Sequence, residues 1–194
     1  MKQDRQKTDA AEYVKAYRQK SLAVLEQIPE SSIATLIDTL RAARKARCTV
    51  FICGNGGSAA TASHFATGLG KDGSWGRAEK FRAMSLTDNV PWITSLANDT
   101  DYSQIFDEQM KNHAQAGDLL IAFSGSGNSA NILRAAEWAN DNGLLTVGIT
   151  GRPGGSLGKL ARHCIFIESE HIGHIEEAHF LIQHLVSYYF VEEE

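Results

Sequence analysis

The chain has 194 residues, of which 43% are hydrophobic, and its formal net charge is -4 at pH 7. This length suits one domain with a sizeable core, and the weakly acidic balance with dispersed lysines and arginines argues against direct nucleic-acid binding. No apolar run approaches the roughly 18 residues that a membrane-spanning helix needs, so no membrane association is predicted.

Two helices are predicted at the start of the chain, over residues 10–28 and 32–46, because apolar residues recur there at helical spacing. Pro29 stands where the first helix should end, and Ser31 and Ser32 are suited to cap the second. We therefore expect one domain over residues 1–194, made of an N-terminal helical hairpin over 1–47 and an α/β core over 48–194.

Apolar runs of strand length alternate with helical patterns along the rest of the chain. The predicted strands are residues 48–53, 81–86, 119–123, 145–149 and 164–167. Helices are predicted over residues 58–66, 90–97, 102–114, 130–139, 157–161 and about 175–191. Five strands separated by helices predict an α/β fold with a doubly wound parallel sheet and right-handed crossovers.

Two turns rich in glycine and serine are the strongest functional signal. Residues 54–58 are Gly-Asn-Gly-Gly-Ser and residues 124–129 are Ser-Gly-Ser-Gly-Asn-Ser, each between a strand and a helix. Glycines let the backbone approach an anion closely, while hydroxyls and helix N-terminal N–H groups donate to phosphate oxygens. One such cluster is explained by ordinary turn formation. Two that converge on one crevice predict a site for a phosphorylated small molecule.

The number and spacing of the cysteines indicate the redox compartment of the protein. Cys48, Cys53 and Cys164 are odd in number and lack the CxxC spacing, and two of them lie in or beside predicted strands. This pattern predicts reduced, buried thiols and favours the cytoplasm. The first seven residues are too polar for a signal peptide, which agrees with a cytoplasmic protein.

These motifs resemble the SIS (sugar isomerase) domain family and, within it, the phosphoheptose isomerase group. The resemblance covers nearly the whole chain. It implies a flavodoxin-like five-stranded parallel sheet with helices on both faces, in a homotetramer assembled through its helices. It rests on residues 54–58, 64–66, 97–99, 124–129, 150–155 and 175–184.

The resemblance also implies which residues bind a phosphorylated sugar. The serine-rich turn would hold the phosphate, while the first glycine turn and the Asn98-Asp99 pair would face the sugar. The implied substrate-binding residues are Asn55, Gly56, Gly57, Ser58, Asn98, Asp99, Ser124, Gly125, Ser126, Ser129 and Glu176.

A metal-binding and catalytic set is implied as well. The group carries a histidine and a glutamate one turn apart on the helix after the first glycine turn, and a glutamine and a histidine on the last helix. The matching residues here are His64, Gly68, Glu176 and His184. His64, Glu176 and His184 would be catalytic residues and would form a zinc site with one open position, holding one divalent ion.

The departures from that pattern matter. Gly68 cannot transfer a proton, and glycine weakens a helix, so the sequence predicts that this helix stops early and leaves a more open site. Glu176, where the resemblance expects glutamine, would return a carboxylate to the same pocket. His171, His174 and His179 have no individual assignment from the sequence; the simpler account is that they are interface or N-terminal-turn residues, and this is the prediction for His179.

Two functions follow from these observations. The first is an aldose–ketose isomerase for a phosphorylated sugar, in particular sedoheptulose 7-phosphate, with His184 and Glu176 as the proton shuttle. The alternative, favoured by Gly68, is a non-catalytic SIS protein that binds a sugar phosphate or a replication-initiator-type protein partner. A transcriptional regulator is disfavoured because no helix-turn-helix segment accompanies the domain.

Overall fold

The computed structural model describes residues 9–192, and within that range it contains eight α-helices and one five-stranded sheet. In the same range, no helix has the length and apolar character needed to cross a bilayer. The strands are β1 (Thr49–Cys53), β2 (Arg82–Ser85), β3 (Leu119–Ser124), β4 (Leu145–Gly151) and β5 (His163–Ile167). The helices are α1 (Ala10–Leu25), α2 (Glu30–Ala46), α3 (Gly57–Gly70), α4 (Val90–Asp99), α5 (Asp107–His113), α6 (Ala130–Asp141), α7 (Leu157–Leu160) and α8 (Ile172–Glu192).

The sheet has the strand order β2-β1-β3-β4-β5, and every pair of neighbours is parallel. The predicted five-stranded parallel sheet is therefore confirmed. The order reverses between β1 and β3, so the chain leaves these two strands in opposite directions. In such folds a crevice opens outside the carboxyl ends of the strands at this point. Both glycine turns directly follow these two strands.

Two hydrophobic cores cover the two faces of the sheet. On β1, Ile52 packs into the core that α2, α3 and α8 complete, and its neighbour Phe51 packs into the core on the opposite face with α5 and α6. Successive side chains of a strand point to opposite faces, and both faces of a parallel sheet are normally covered. This explains why β1 and β3 are apolar without alternation and buried along their whole length.

The connection between α1 and α2 lies earlier in the chain than predicted and covers residues 26–29. The first helix ends at Leu25 instead of Ile28, and the second begins at Glu30, directly after Pro29. Ser31 and Ser32 lie inside the first turn of α2, so the prediction that they cap it was wrong. Proline ends the preceding segment by its fixed φ, and the Glu30 carboxylate suits the positive end of the helix.

Residues 102–114 do not form the single helix that was predicted. A short 3₁₀ turn covers Tyr102–Gln104, and α5 begins only at Asp107. The Asp101 side chain accepts a hydrogen bond from the Ser103 backbone N–H, which starts the 3₁₀ turn and separates it from α5. This break leaves Tyr102 at the carboxyl edge of the sheet, beside the first glycine turn.

The helices α3 and α8 pack side by side and run in the same direction. Gly57 contacts Glu176 at their N-terminal ends, the rings of His64 and His184 meet further along, and Gly68 contacts Ser187 beyond them. Helix α3 continues through Gly68 to Gly70, so the predicted early end was wrong. Ser187 of α8 packs closely against the helix at this position.

Candidate functional site

A cavity of about 190 Å³ lies where the two glycine turns meet the N-terminal end of α8. It forms because β1 and β3 are neighbours, so their turns open at the same edge of the sheet. The structure thus brings together most of the predicted substrate-binding residues. The cavity is lined by Asn55, Ser58, Phe123, Ser124, Gly125, Ser126, Ser129, Ile172 and Glu176.

The three serines of the second turn have different surroundings. Ser124 is buried, and its hydroxyl accepts a hydrogen bond from the Gly127 N–H at 3.1 Å. The Ser126 hydroxyl accepts one from the Asn128 N–H at 3.1 Å. Ser129 precedes the first residue of α6, but its side chain makes no capping hydrogen bond. Ser124 and Ser126 therefore shape the turn, while Ser129 leaves its hydroxyl available beside the helix N-terminus.

The second turn is braced by the loop that follows β4. Gly127 has a φ of +65°, and the Leu157 N–H donates to its carbonyl at 2.9 Å. The Asn128 side-chain oxygen accepts from the Ser156 N–H at 3.0 Å. A methyl group at Gly127 would overlap the carbonyl of Gly154. The cavity wall is thus held by backbone contacts that only glycine permits.

Glu176 carries the only carboxylate among the described residues that line the cavity. A methyl group added at Gly57 would lie 2.5 Å from its Cδ and Oε1 atoms, so the carboxylate rests directly on the first turn of α3. A negative charge is stabilised there by the N-terminal end of the helix. The neighbouring Glu177 bonds instead to the Ser21 hydroxyl of α1.

Ser58 connects the cavity to a buried histidine. Its hydroxyl lies 3.2 Å from the Nδ1 atom of His179, whose ring packs against Phe123 with centroids 5.2 Å apart. Burial lowers the pKa of His179 to about 4, and the carbonyl of Ile149 acts in the opposite direction. His179 is fully buried, so its prediction as an interface or terminal-turn residue was wrong. A neutral imidazole holds the Ser58 hydroxyl.

Asn55 takes part in a network that the sequence patterns did not indicate. Its Nδ2 donates to the Asn131 Oδ1 at 2.9 Å, and its Oδ1 accepts from the Asn131 Nδ2 at 2.8 Å. The Tyr102 hydroxyl also donates to the Asn55 Oδ1, at 3.1 Å. The available signal was the position of Asn131, two residues after Ser129 in the polar turn. The Asn55 amide is thereby held by two other segments, the first turn of α6 and the 3₁₀ turn after α4.

The other predicted sugar-facing residues, Gly56, Gly57, Asn98 and Asp99, do not line the cavity. Gly56 has a φ of +57° and precedes the first residue of α3, which gives the sharp turn above the site. Asn98 and Asp99 are exposed at the end of α4, where the Asn98 Nδ2 donates to the Asp99 Oδ1 at 2.8 Å. Neither of these two residues lines the cavity.

His64 and His184 are brought together, but away from Glu176. Their ring centroids are 4.8 Å apart and perpendicular, and Phe180 packs against both. Burial, and to a lesser extent His64, lowers the pKa of His184. Glu176 precedes His184 by eight residues, or about 12 Å along the helix. The predicted shuttle between Glu176 and His184 is therefore not formed within this chain.

The distance between Glu176 and the histidine pair also decides whether these residues can form the predicted zinc site. Within residues 9–192, no three histidine, cysteine, aspartate or glutamate side chains are close enough together to hold a metal ion. A zinc site needs at least three protein ligands around one point. The predicted set of His64, Glu176 and His184 does not meet this requirement in the described part of the chain.

Gly68 faces α8 and not the cavity. A methyl group there would overlap the Ser187 hydroxyl, and Gln183 lies next to it. Both polar side chains are buried, and their polar atoms have no hydrogen-bond partner among the described residues. The side chains of α8 thus occupy the space that a longer residue at position 68 would need.

Gly68→Ala is expected to lower the free energy of unfolding by about 1–3 kcal/mol, because the added methyl group forces α3 and α8 apart. Gly70→Ala is the matched control in the same helix, since its methyl group would meet only the Ala83 Cβ at 4.0 Å. The control should be neutral, or more stable by up to about 1 kcal/mol, from helix propensity. Urea titration measures both variants, and equal effects would contradict the packing argument.

The coupling with Ser187 supplies a second check. Ser187→Gly removes the overlapping atoms, so the Gly68→Ala/Ser187→Gly double variant should lose less stability than the sum of the two single losses. Strict additivity would mean that the methyl group at position 68 meets something other than Ser187.

Comparisons with known proteins agree with this geometry. A family model for the SIS domain matches residues 12–151. The chain is 38% identical over 159 residues to a phosphoheptose isomerase from Rhodospirillum rubrum. The aligned region covers 80% of this chain and 82% of that enzyme. It is 41% identical over 150 residues to one from Mycobacterium bovis, covering 77% of this chain and 76% of that one.

A solved structure is similar over nearly the whole fold. The phosphoheptose isomerase from Francisella tularensis superposes with a TM-score of 0.86 at 27% sequence identity, covering 96% of this chain and 100% of that chain. The similarity therefore includes the helices that form the cavity as well as the sheet.

Proposed function

The chain belongs to the SIS domain family, within its phosphoheptose isomerase group, and we propose that its serine-lined cavity interconverts sedoheptulose 7-phosphate and an aldoheptose 7-phosphate. It is a sugar-phosphate isomerase. The reaction moves a hydrogen between neighbouring carbons. A base removes a proton from C1 of the ketose, an enediol forms, and a proton is returned to C2.

The observation that carries the proposal is the convergence of two glycine turns and one carboxylate on a single cavity. The turns supply hydroxyls and backbone N–H groups that match a phosphate and sugar oxygens. Glu176 supplies a group that can accept and return a proton. A binding protein needs only the first of these features, whereas an isomerase needs both.

In this proposal the phosphate binds at the second turn. The Ser129 hydroxyl is free of capping bonds and lies at the N-terminus of the twelve-residue helix α6, where anions are stabilised. Ser124, Gly125 and Ser126 hold the backbone of the turn in the shape that presents its N–H groups. The sugar then extends toward Asn55 and Glu176 on the other side of the cavity.

Glu176 is the proposed base. Its carboxylate rests over Gly57, within reach of a sugar bound between the two turns. N–H groups of the first glycine turn would stabilise the negative oxygen that develops in the enediolate. Glu176 thus takes the role that Gly68 cannot fill, because α8 covers position 68.

His64 and His184 keep the catalytic role that the resemblance implies, as a pair of imidazoles separate from Glu176. Zinc also stays a prediction of the resemblance. These two side chains would supply two of its ligands, and the described residues of the same chain do not supply a third. Metal analysis of the purified protein, compared with a His64→Ala/His184→Ala variant, tests whether the pair holds an ion.

The proposal includes a homotetramer formed through the helices and a cytoplasmic location, both implied by the resemblance. Apolar side chains remain exposed on α1 and α8, among them Val14, Leu22, Leu185 and Tyr188. Large exposed apolar groups on adjacent helices are typical of an interface with another protein surface. Sedimentation of the purified protein should give the mass of four chains, and a monomer at micromolar concentration would contradict this.

The test of the function is incubation with sedoheptulose 7-phosphate in heavy water, followed by NMR. Formation of aldoheptose 7-phosphate with solvent deuterium at C2 is expected, because the proton taken up by the base exchanges with solvent. Binding without turnover or exchange would support the non-catalytic alternative. No binding at all would contradict the assignment of the cavity.

Ser129→Ala should raise the KM for the sugar phosphate about 10-fold or more, because a hydrogen bond to a charged phosphate is lost. The exposed Ser31 on α2 provides the matched control, and Ser31→Ala should leave KM unchanged. Steady-state kinetics of both variants measures the effect. An unchanged KM in Ser129→Ala would move the phosphate away from the second turn.

A further inference from the structure

The Asn55 side chain has almost no hydrogen-bonding capacity left for a ligand. Its Oδ1 accepts from both the Asn131 Nδ2 and the Tyr102 hydroxyl, which uses the two lone pairs of an amide oxygen. One hydrogen of its Nδ2 is donated to the Asn131 Oδ1. The second hydrogen on Nδ2 is the one group that remains, so Asn55 can act toward the cavity only as a donor.

The orientation of the two amides follows from a backbone contact. The Ile132 N–H is shared between the Ser129 carbonyl oxygen and the Asn131 side chain, each at 3.0 Å, and an N–H group must point at an oxygen. This identifies the Asn131 atom as Oδ1 and places its Nδ2 against Asn55. The Asn55 atom that faces the Asn131 Nδ2 must then be its oxygen. Turning either amide over would set two donors, or two acceptors, against each other.

The network joins three segments that are distant in sequence. Asn55 lies in the turn after β1, Asn131 in the first turn of α6, and Tyr102 in the 3₁₀ turn after α4. Asn131 is 2% exposed, so it has no direct access to a ligand. Tyr102 is 54% exposed and reaches the cavity wall through its hydroxyl. Neither residue lines the cavity, and both contact it through Asn55.

We propose that Asn131 and Tyr102 are positioning residues that hold Asn55 with its nitrogen toward the bound sugar phosphate, so that it donates to a substrate oxygen. This inference rests on the proposed function and adds to it that Asn55 is a hydrogen-bond donor toward the substrate. A fixed donor favours an oxygen that carries negative charge, such as a phosphate oxygen or the enediolate oxygen.

Tyr102→Phe tests the proposal, because it removes one hydroxyl from an exposed ring and leaves the fold undisturbed. The dissociation constant for sedoheptulose 7-phosphate, measured by calorimetry, should rise about 5-fold in the otherwise unchanged protein. In an Asn55→Ala background the same substitution should have no further effect, since the residue it positions is gone. An equal rise in both backgrounds would overturn the proposal.

A second measurement needs no substrate. The side-chain amide signals of Asn55, assigned by their loss in Asn55→Ala, should shift in Tyr102→Phe. They should stay in place in Tyr13→Phe, which changes an exposed tyrosine on α1. Unmoved signals in Tyr102→Phe would overturn the network.

If the unchanged protein neither binds nor converts sedoheptulose 7-phosphate, the proposed function fails and the positioning role fails with it. If the protein converts sedoheptulose 7-phosphate but the effects of Tyr102→Phe and Asn55→Ala on the dissociation constant are additive, the proposed function stands and only the positioning role is overturned.

Discussion

Glu176→Gln is expected to lower kcat for the isomerisation about 10³-fold while the protein stays folded. Proton transfer by a positioned carboxylate contributes a factor of this order, and an amide of the same shape cannot accept the proton. The contact with Gly57 is kept, because glutamine occupies the space of glutamate. Steady-state kinetics and exchange of the C1 hydrogen in heavy water both measure the loss.

The adjacent Glu177 gives a control with the same chemical change. Its carboxylate bonds to Ser21 on α1 and does not line the cavity, so Glu177→Gln should keep kcat within about 2-fold. The result is informative because glutamine is the residue that the resemblance expects at position 176. If Glu176→Gln were as active as the unchanged enzyme, the base would have to lie elsewhere, and His64 and His184 would be the next candidates.

Gly127→Ala is expected to lower the free energy of unfolding by about 4 kcal/mol, near the upper end for single substitutions. Two effects add. The φ of +65° is unfavourable for alanine, and the methyl group would overlap the carbonyl of Gly154. A backbone carbonyl cannot rotate away as a side chain can, so the turn and the loop after β4 must separate. Urea titration gives the stability.

Gly76→Ala separates the two effects. Gly76 has a φ of +71°, but a methyl group there would meet no atom within 4 Å. Its loss should be about 1–2 kcal/mol, which is the cost of the backbone conformation alone. If Gly127→Ala lost no more stability than Gly76→Ala, the overlap with the Gly154 carbonyl would be relieved at no cost in the free energy of unfolding. Phosphate affinity gives a second comparison, because only Gly127 lies in the turn that forms the cavity.

Much of the fold was predictable because its signals are local. The apolar runs of β1 and β3 and the helical spacing of α6 are readable over a few residues, and each lies where it was predicted. The exceptions were at positions where a cap or a distant contact decides the outcome. Asp101 starts a 3₁₀ turn inside a segment with helical spacing, and α3 continues past Gly68, where it packs closely against Ser187.

The site was predictable only in part. The two glycine turns indicated the cavity because strand order places them at one edge of the sheet. The structure does not bring His64, Glu176 and His184 together within the described residues of one chain, because α3 and α8 run parallel and their contacts are distributed along both helices. Asn131 and Tyr102 carried no motif, since their importance comes from one partner, Asn55.

The sequence by itself determined the strands, the parallel sheet and the two glycine turns at its edge, because hydrophobic pattern and glycine conformation act within short segments. Only the tertiary structure decided which side chains share the cavity. Glu176 lies 119 residues after Gly57, and the contact between them exists because α3 and α8 pack against the same face of the sheet. Side-chain partners across such a distance are set by the packing of whole helices, which residue pattern does not encode.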